Sequence, residues 1–138
     1  MSDVEIEIPP SFEHLAMVRS VLSNALGAEQ VLKNERLQDL RLAVSEAATN
    51  AIEAHHARGI DTTVRIRVEI DADHVRVVIA DRGPGFDPSG LEPHPPVTDP
   101  ERLDFERGLG VTLMRRLTDG CLIDSSSAGT TVTLTMLR

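Results

Sequence analysis

The sequence predicts one α/β domain of about five strands and three helices, and two kinds of observation predict it. Several short runs alternate apolar and polar residues with period two. The clearest are Val64, Ile66, Val68 and Ile70 between Arg65, Arg67 and Glu69, and Val75, Val77 and Ile79 between Arg76 and Val78. Side chains of a strand point alternately to opposite faces, so each such run buries one face and wets the other. Two longer stretches instead repeat apolar residues at helical spacing, and a short third one follows near the C-terminus. The chain has 138 residues, a length typical of one domain, and shows no internal repeat, low-complexity tract or second domain.

The elements follow in order. Val4, Ile6 and Ile8 alternate with Glu5 and Glu7 as a strand closed by Pro9-Pro10. Ser11 reads as the N-cap of a helix carrying the stripe Phe12, Leu15, Val18, Leu22 and Leu26 and ending at Gly27, with Arg19 a solvated residue beside the stripe. A second helix runs from Asn34 to about Arg58, before Gly59. Its core stripe is Leu37, Leu40, Val44, Ala48 and Ala51. Leu42, Ala43 and Ala47 make its far side apolar too, so cover on two sides is expected. The strands at 64–70 and 74–81 form a hairpin through Asp71-Ala72-Asp73. Residues 82–107 hold six of the chain's eight prolines and read as a loop or lid. Gly108-Leu109-Gly110 then opens a short helix with Val111, Leu113, Met114 and Leu117. Leu122 and Ile123 start a strand, and Ala128-Gly129-Thr130-Thr131 turns into the last one, where Val132, Leu134 and Met136 face inward.

Composition narrows the function. Fourteen basic and twenty-two acidic side chains give a net charge of -8, and no basic run stands out, so direct nucleic-acid binding is disfavoured and a basic protein partner is permitted. With no Trp or Tyr and three Phe the core is mostly aliphatic. The single Cys121 excludes an internal disulfide and a cysteine metal cluster, and reads as a small core residue in a reducing compartment. No signal peptide and no apolar run of membrane-spanning length is present, so the cytoplasm is the expected location.

Chemistry concentrates in a few places. Asp81 has the parity of Val75, Val77 and Ile79, which puts a carboxylate at the end of a core-facing row, where it is costly unless something binds it. Gly83 and Gly85 follow directly and allow close approach of the backbone, although Asp81-Arg82-Gly83 alone also fits a plain polar turn. Glu46 and Asn50 lie one helical turn apart on one face, among the small residues Ala47, Ala48 and Ala51. Such a pair is an ordinary surface pair unless another element packs closely on it. Glycines opening a helix leave free N–H groups at its positive end, a phosphate site, but a lone Gly108-x-Gly110 is a weak signal. Thr130 shares the parity of Val132, so its hydroxyl points to the core face as Asp81 does.

Together these residues carry a resemblance. Glu46-x-x-x-Asn50, Asp81-x-Gly83-x-Gly85-Phe86, Gly108-x-Gly110 and Gly129-Thr130 stand in the order of the N box and the three glycine boxes of the Bergerat-fold ATPases, the superfamily of gyrase, histidine kinases and MutL. The stretches Val44–Ala51 and Glu106–Arg115 look like those of its anti-sigma-factor serine/threonine kinases, and the resemblance covers nearly the whole chain. It implies a two-layer α/β sandwich, a mixed and mostly antiparallel sheet with helices on one face, over a single domain at 1–138 with residues 82–107 as the ATP lid. It also implies ATP and Mg²⁺ as ligands. Asp81, with Thr130, would then read adenine, Gly83 and Gly85 would let the chain pass close to the nucleotide, and the N–H groups of Gly108, Leu109 and Gly110 would hold phosphates. Asn50 would ligate Mg²⁺, Glu46 would be the catalytic base, and Arg107 would contact the terminal phosphate. The implied partners are a sigma factor and its anti-anti-sigma antagonist, with no membrane and no direct nucleic acid, and the implied assembly is a homodimer. In one respect the chain departs from the pattern: where the family often has His, four residues after the Asn, it has Ala54, followed by His55 and His56. Two other readings stay open. One is the catalytic part of a histidine kinase, against which no acceptor-bearing helical segment precedes the first strand. The other is a module that binds ATP without transferring phosphate.

Overall fold

The computed structural model of the chain describes residues 2–27, 30–84 and 102–138, with side chains described except at residues 2 and 102–108. The elements are β1 (Ser2–Ile8), α1 (Leu15–Gly27), α2 (Asn34–Arg58), β2 (Val64–Ile70), β3 (His74–Asp81), α3 (Arg102–Leu117), β4 (Gly120–Ser126) and β5 (Gly129–Leu137). The strands make one sheet in the order β1-β2-β3-β5-β4, and every pairing is antiparallel.

Register explains why one face is dry. Ile6, Ile66, Ile79, Val132 and Ile123 are successive cross-strand partners, so a single apolar row runs across the sheet. Val4, Val68, Val77, Leu134 and Cys121 make the next. These rows meet α2, which packs on β2, β3 and β5 and is flanked by α1 and α3. The opposite parity is wet: Arg65 pairs with Glu5 at 2.8 Å, and Arg67 and Arg76 reach Glu69 at 3.3 and 3.4 Å. A one-residue slip would exchange the two faces, so the register is strongly specified.

The helix α2 has the bounds that its sequence predicts. Gly59 takes the left-handed conformation at its C-terminus (φ 72°), and its N–H and that of Ile60 close on carbonyls of the last turn. Leu40, Ala43, Val44, Ala47, Ala48, Ala51 and Ile52 are buried, because sheet and flanking helices cover a wide arc, but Leu42 is exposed (46%). At α1 the stripe begins later than expected. Val18, Leu22 and Leu26 are buried, whereas Phe12 sits in a 3-10 turn at Phe12–His14, 46% exposed and edge-on to the His56 ring, and the Ser11 side chain makes no capping bond. Cys121 is half-buried at the core margin. Burial raises its thiol above the usual range, and Arg115 opposes that shift.

The start of α3 differs most from the expectation. It begins at Arg102, so Gly108 and Gly110 lie inside the helix rather than opening it. The stretch ahead of the glycines supplies Arg, Leu and Glu, good helix formers, and an interior glycine costs only about 1 kcal/mol, which packing on α2 can offset.

Candidate functional site

The sheet's third row changes character. Asp81 and Thr130 are cross-strand partners, and Thr130 is in turn the partner of Ser125, so a polar row continues the two apolar ones on the helix-facing side. Asp81 Oδ1 accepts the Gly83 N–H at 2.8 Å and the Thr130 N–H at 3.3 Å, which fixes the carboxylate to the turn that follows it. Thr130 is buried, and its hydroxyl shares a hydrogen bond with that of Ser125 at 2.8 Å. Ser125 belongs to no motif in the sequence. Its parity with Cys121 and Ile123 was the available signal. Gly129 adopts φ 148°, and a Cβ there would stand 2.1 Å from the Asp81 carbonyl oxygen, so only glycine lets β5 start this close to the end of β3.

Gly83 is also required within the fold itself. A Cβ on it would stand 2.3 Å from the Ala54 Cβ of α2. The turn therefore passes close to the helix, and the small Ala54, at the place where the family often has His, has a packing reason. Gly85 lies outside the described residues, as do residues 85–101 of the expected lid.

Glu46 and Asn50 are both half-buried, and α3 is the element that packs on them. A Cβ on Gly110 would meet Glu46 Oε2 at 3.1 Å and Asn50 Nδ2 at 3.5 Å. The Asn50 Nδ2 is buried without a hydrogen-bond partner among the described residues. An orphaned buried donor typically costs about 1–3 kcal/mol, and a ligand acceptor would recover that. The N box and the second glycine motif are thus in contact, and the pair is not a plain surface pair. Leu109 is exposed, and the side chain of Arg107 lies outside the described ones. The N–H groups of Gly108, Leu109 and Gly110 are inside α3 and serve its own ladder; they are not first-turn donors here.

The two clusters are strung along one helix. Glu46, Asn50 and Ala54 follow at single-turn intervals, and at ~1.5 Å per residue Glu46 and Ala54 are about 12 Å apart along the axis. Asp81, Gly83 and Thr130 gather at the Ala54 end, and Gly110 at the Glu46 end. That separation suits an extended nucleotide with its base at one end and its phosphates at the other. Among the described residues no group of three or more His, Cys, Asp and Glu is placed to hold a metal ion alone. A cation beside Asn50 would need phosphate and water oxygens to complete its shell.

Residues 8–136 match the family described as histidine kinase-like ATPase domain. The chain belongs to this ATPase family. Its relatives include the serine-protein kinase RsbW of Staphylococcus epidermidis, 30% identical over 139 residues that cover 98% of this chain and 85% of that one. The serine-protein kinase RsbW of Bacillus subtilis (strain 168) is 32% identical over 136 residues, 96% of this chain and 83% of its own. The crystal structure of the RsbU and RsbW domains of a Mycobacterium tuberculosis protein shares the fold with a TM-score of 0.72 over 99% of this chain, at 22% identity; the match spans 33% of that longer chain. This ATPase domain is therefore an ATP-binding module of the serine-protein-kinase type. Among the described residues no helix is long and apolar enough to cross a membrane.

Proposed function

We propose that this ATPase domain is a serine/threonine protein kinase and anti-sigma factor of the cytoplasm. It binds ATP with Mg²⁺, holds a sigma factor, and phosphorylates a Ser or Thr of an antagonist protein, acting as a homodimer. The observation that carries the proposal is the meeting of Glu46, the Asn50 Nδ2 that lacks a partner among the described residues, and Gly110, one turn along α2 from the Ala54–Gly83 contact. Surface residues would not converge in this way.

Each residue then has a task. Asp81, fixed through Oδ1, accepts from the exocyclic amine of adenine, and guanine, with a carbonyl there, would set acceptor against acceptor. Thr130 and Ser125 complete the base's edge through their paired hydroxyls. Asn50 would help hold Mg²⁺ through its amide oxygen, and the cation would supply charge neutralisation on the phosphates. Glu46 takes the proton of the acceptor hydroxyl as that oxygen bonds to the terminal phosphorus and the bond to the leaving diphosphate breaks. The family resemblance assigns Arg107 and the Gly108–Gly110 stretch, which meets Glu46 and Asn50 at Gly110, to the phosphate end. The acidic chain, at net charge -8, suits a basic face on the sigma factor.

Incubation with γ-labelled ATP and candidate antagonists tests the proposal. Label on a Ser or Thr of the antagonist is expected. Nucleotide binding without any transfer would leave a binding module, and label on a histidine would point to histidine-kinase chemistry.

A further inference from the structure

His55 follows Ala54 on α2 and is completely buried. Its Nδ1 is 2.9 Å from the Thr62 carbonyl oxygen, and its Nε2 is 2.9 Å from the backbone nitrogen of Arg82. A carbonyl can only accept and an amide N–H can only donate. Both bonds exist together only when Nδ1 carries the ring proton and Nε2 is bare. The neutral Nδ1–H tautomer follows from its neighbours.

The amide that His55 receives is a particular one. Asp81 is the last residue of β3, and its neighbour Arg82 has left the ladder, so the Arg82 N–H has no strand to donate to. The Arg82 carbonyl accepts from the Arg58 guanidinium at 3.1 Å, and the other arm of that guanidinium reaches the Ser127 carbonyl in the turn leading to Gly129-Thr130. Both backbone groups of Arg82 are thereby tied to the last turns of α2, and one tie extends to the neighbouring turn. Thr62, on the other side of the imidazole, lies between α2 and β2.

We propose that His55, in its Nδ1–H form, is a positioning residue of the ATP site: it hangs the Asp81–Gly83 turn from α2 and so sets the angle at which Asp81 meets the base. Arg58 assists from the carbonyl side. The proposal rests on the reading of Asp81 as the adenine-facing carboxylate. A residue that only filled space here would need no particular tautomer and no acceptor toward Arg82.

Ring ¹⁵N NMR of the nucleotide-free protein gives the first test. A protonated Nδ1 with a bare Nε2 is expected, and the opposite tautomer overturns the proposal. Two substitutions separate the bonds. In His55→Gln the amide oxygen reaches the place of Nε2, whereas in His55→Asn the shorter amide reaches only the place of Nδ1. For His55→Asn, Arg82 amide exchange should quicken and ADP affinity measured by calorimetry should fall by about tenfold or more, the scale of one lost buried hydrogen bond. His55→Gln should stay within about threefold of the parent for both, since it keeps the acceptor. Equal behaviour of the two variants, or an unchanged Arg82 amide in His55→Asn, overturns the proposal. If the parent protein binds no ADP, the ATP-site reading fails, while the tautomer and the Arg82 exchange still decide whether His55 holds the turn. Should a His55 variant not fold, Arg58→Ala at its exposed position loosens the same turn. Weaker ADP binding and faster Arg82 exchange there support the proposal, and no change in either overturns it.

Discussion

Gly83→Ala probes the contact that joins the turn after Asp81 to α2. The new methyl would lie 2.3 Å from the Ala54 Cβ, 2.9 Å from the Ala54 carbonyl carbon and 3.0 Å from its oxygen. Carbon atoms in good contact sit about 3.5–4.0 Å apart, so the overlap is more than an ångström. Two of the three atoms are helix backbone, so no rotamer change relieves it; the turn must move away from the helix. Overpacking of this kind costs about 1–3 kcal/mol, and the rigid neighbours place this case in the upper half of that range. The stiffer unfolded chain returns about 0.4–1 kcal/mol, leaving a net loss of about 2 kcal/mol. Ala54→Gly removes the nearest atom at a helix cost of about 1 kcal/mol. Combined with Gly83→Ala it should recover part of the loss, a coupling of roughly 1 kcal/mol. Urea unfolding of the parent, the two single variants and the double variant measures all four corners, with ADP titration alongside, since the displaced turn carries Asp81. A loss below about 0.5 kcal/mol for Gly83→Ala, or strict additivity with Ala54→Gly, would refute the packing argument.

Gly110→Ala removes a helix-interior glycine, so stability should hold or rise by up to about 1 kcal/mol, while its methyl, 3.1 Å from Glu46 Oε2, should lower phosphoryl transfer by about tenfold or more; a variant that gains stability and keeps full transfer contradicts the site. Asp81→Asn can keep Oδ1 on the Gly83 and Thr130 amides, which turns its NH₂ toward the ligand; ATP affinity should fall by at least about tenfold and the preference for ATP over GTP should shrink or reverse, as competition titrations will show. Burial raises the Cys121 thiol, so at neutral pH it is protonated and alkylation should be slower than in the unfolded chain, with the rate climbing only at higher pH; equal rates in both states would contradict its half-buried placement.

Periodicity carried most of the fold. The alternation in β2, β3 and β5 and the long stripe of α2 located those elements, because each buries one face and the burial pattern is written directly into residue order. The start of α3 was not legible in the same way. Gly108 and Gly110 look like a boundary locally, and the helix that runs through them is held by packing on α2, a tertiary contact that residue order does not encode. Phe12 shows the same limit: its spacing joins it to the α1 stripe, but the 3-10 turn rotates it outward to His56. At the site, parity alone brought Asp81 and Thr130 to one face, and their direct pairing bears that out. The packing of Gly83 on Ala54 could not be read, since Ala54 is far away in the chain. Nor could the role of His55, because two backbone groups from separate loops define it.

In the proposed mechanism Glu46 is the proton acceptor in phosphoryl transfer and Asn50 its metal-bearing neighbour. Glu46→Gln keeps the side chain's shape against Gly110 and removes the base, whereas Asn50→Ala removes the amide. The decisive measurement is the rate of single-turnover transfer to the antagonist by Glu46→Gln at saturating Mg²⁺-ATP, with ADP affinity determined on the same sample. A rate lower by roughly 10²–10⁴ is expected, with nucleotide affinity and sigma-factor binding retained, and for Asn50→Ala a loss of Mg²⁺-dependent affinity together with transfer. Transfer by Glu46→Gln at the parent rate would contradict the mechanism, even with the ATP site intact.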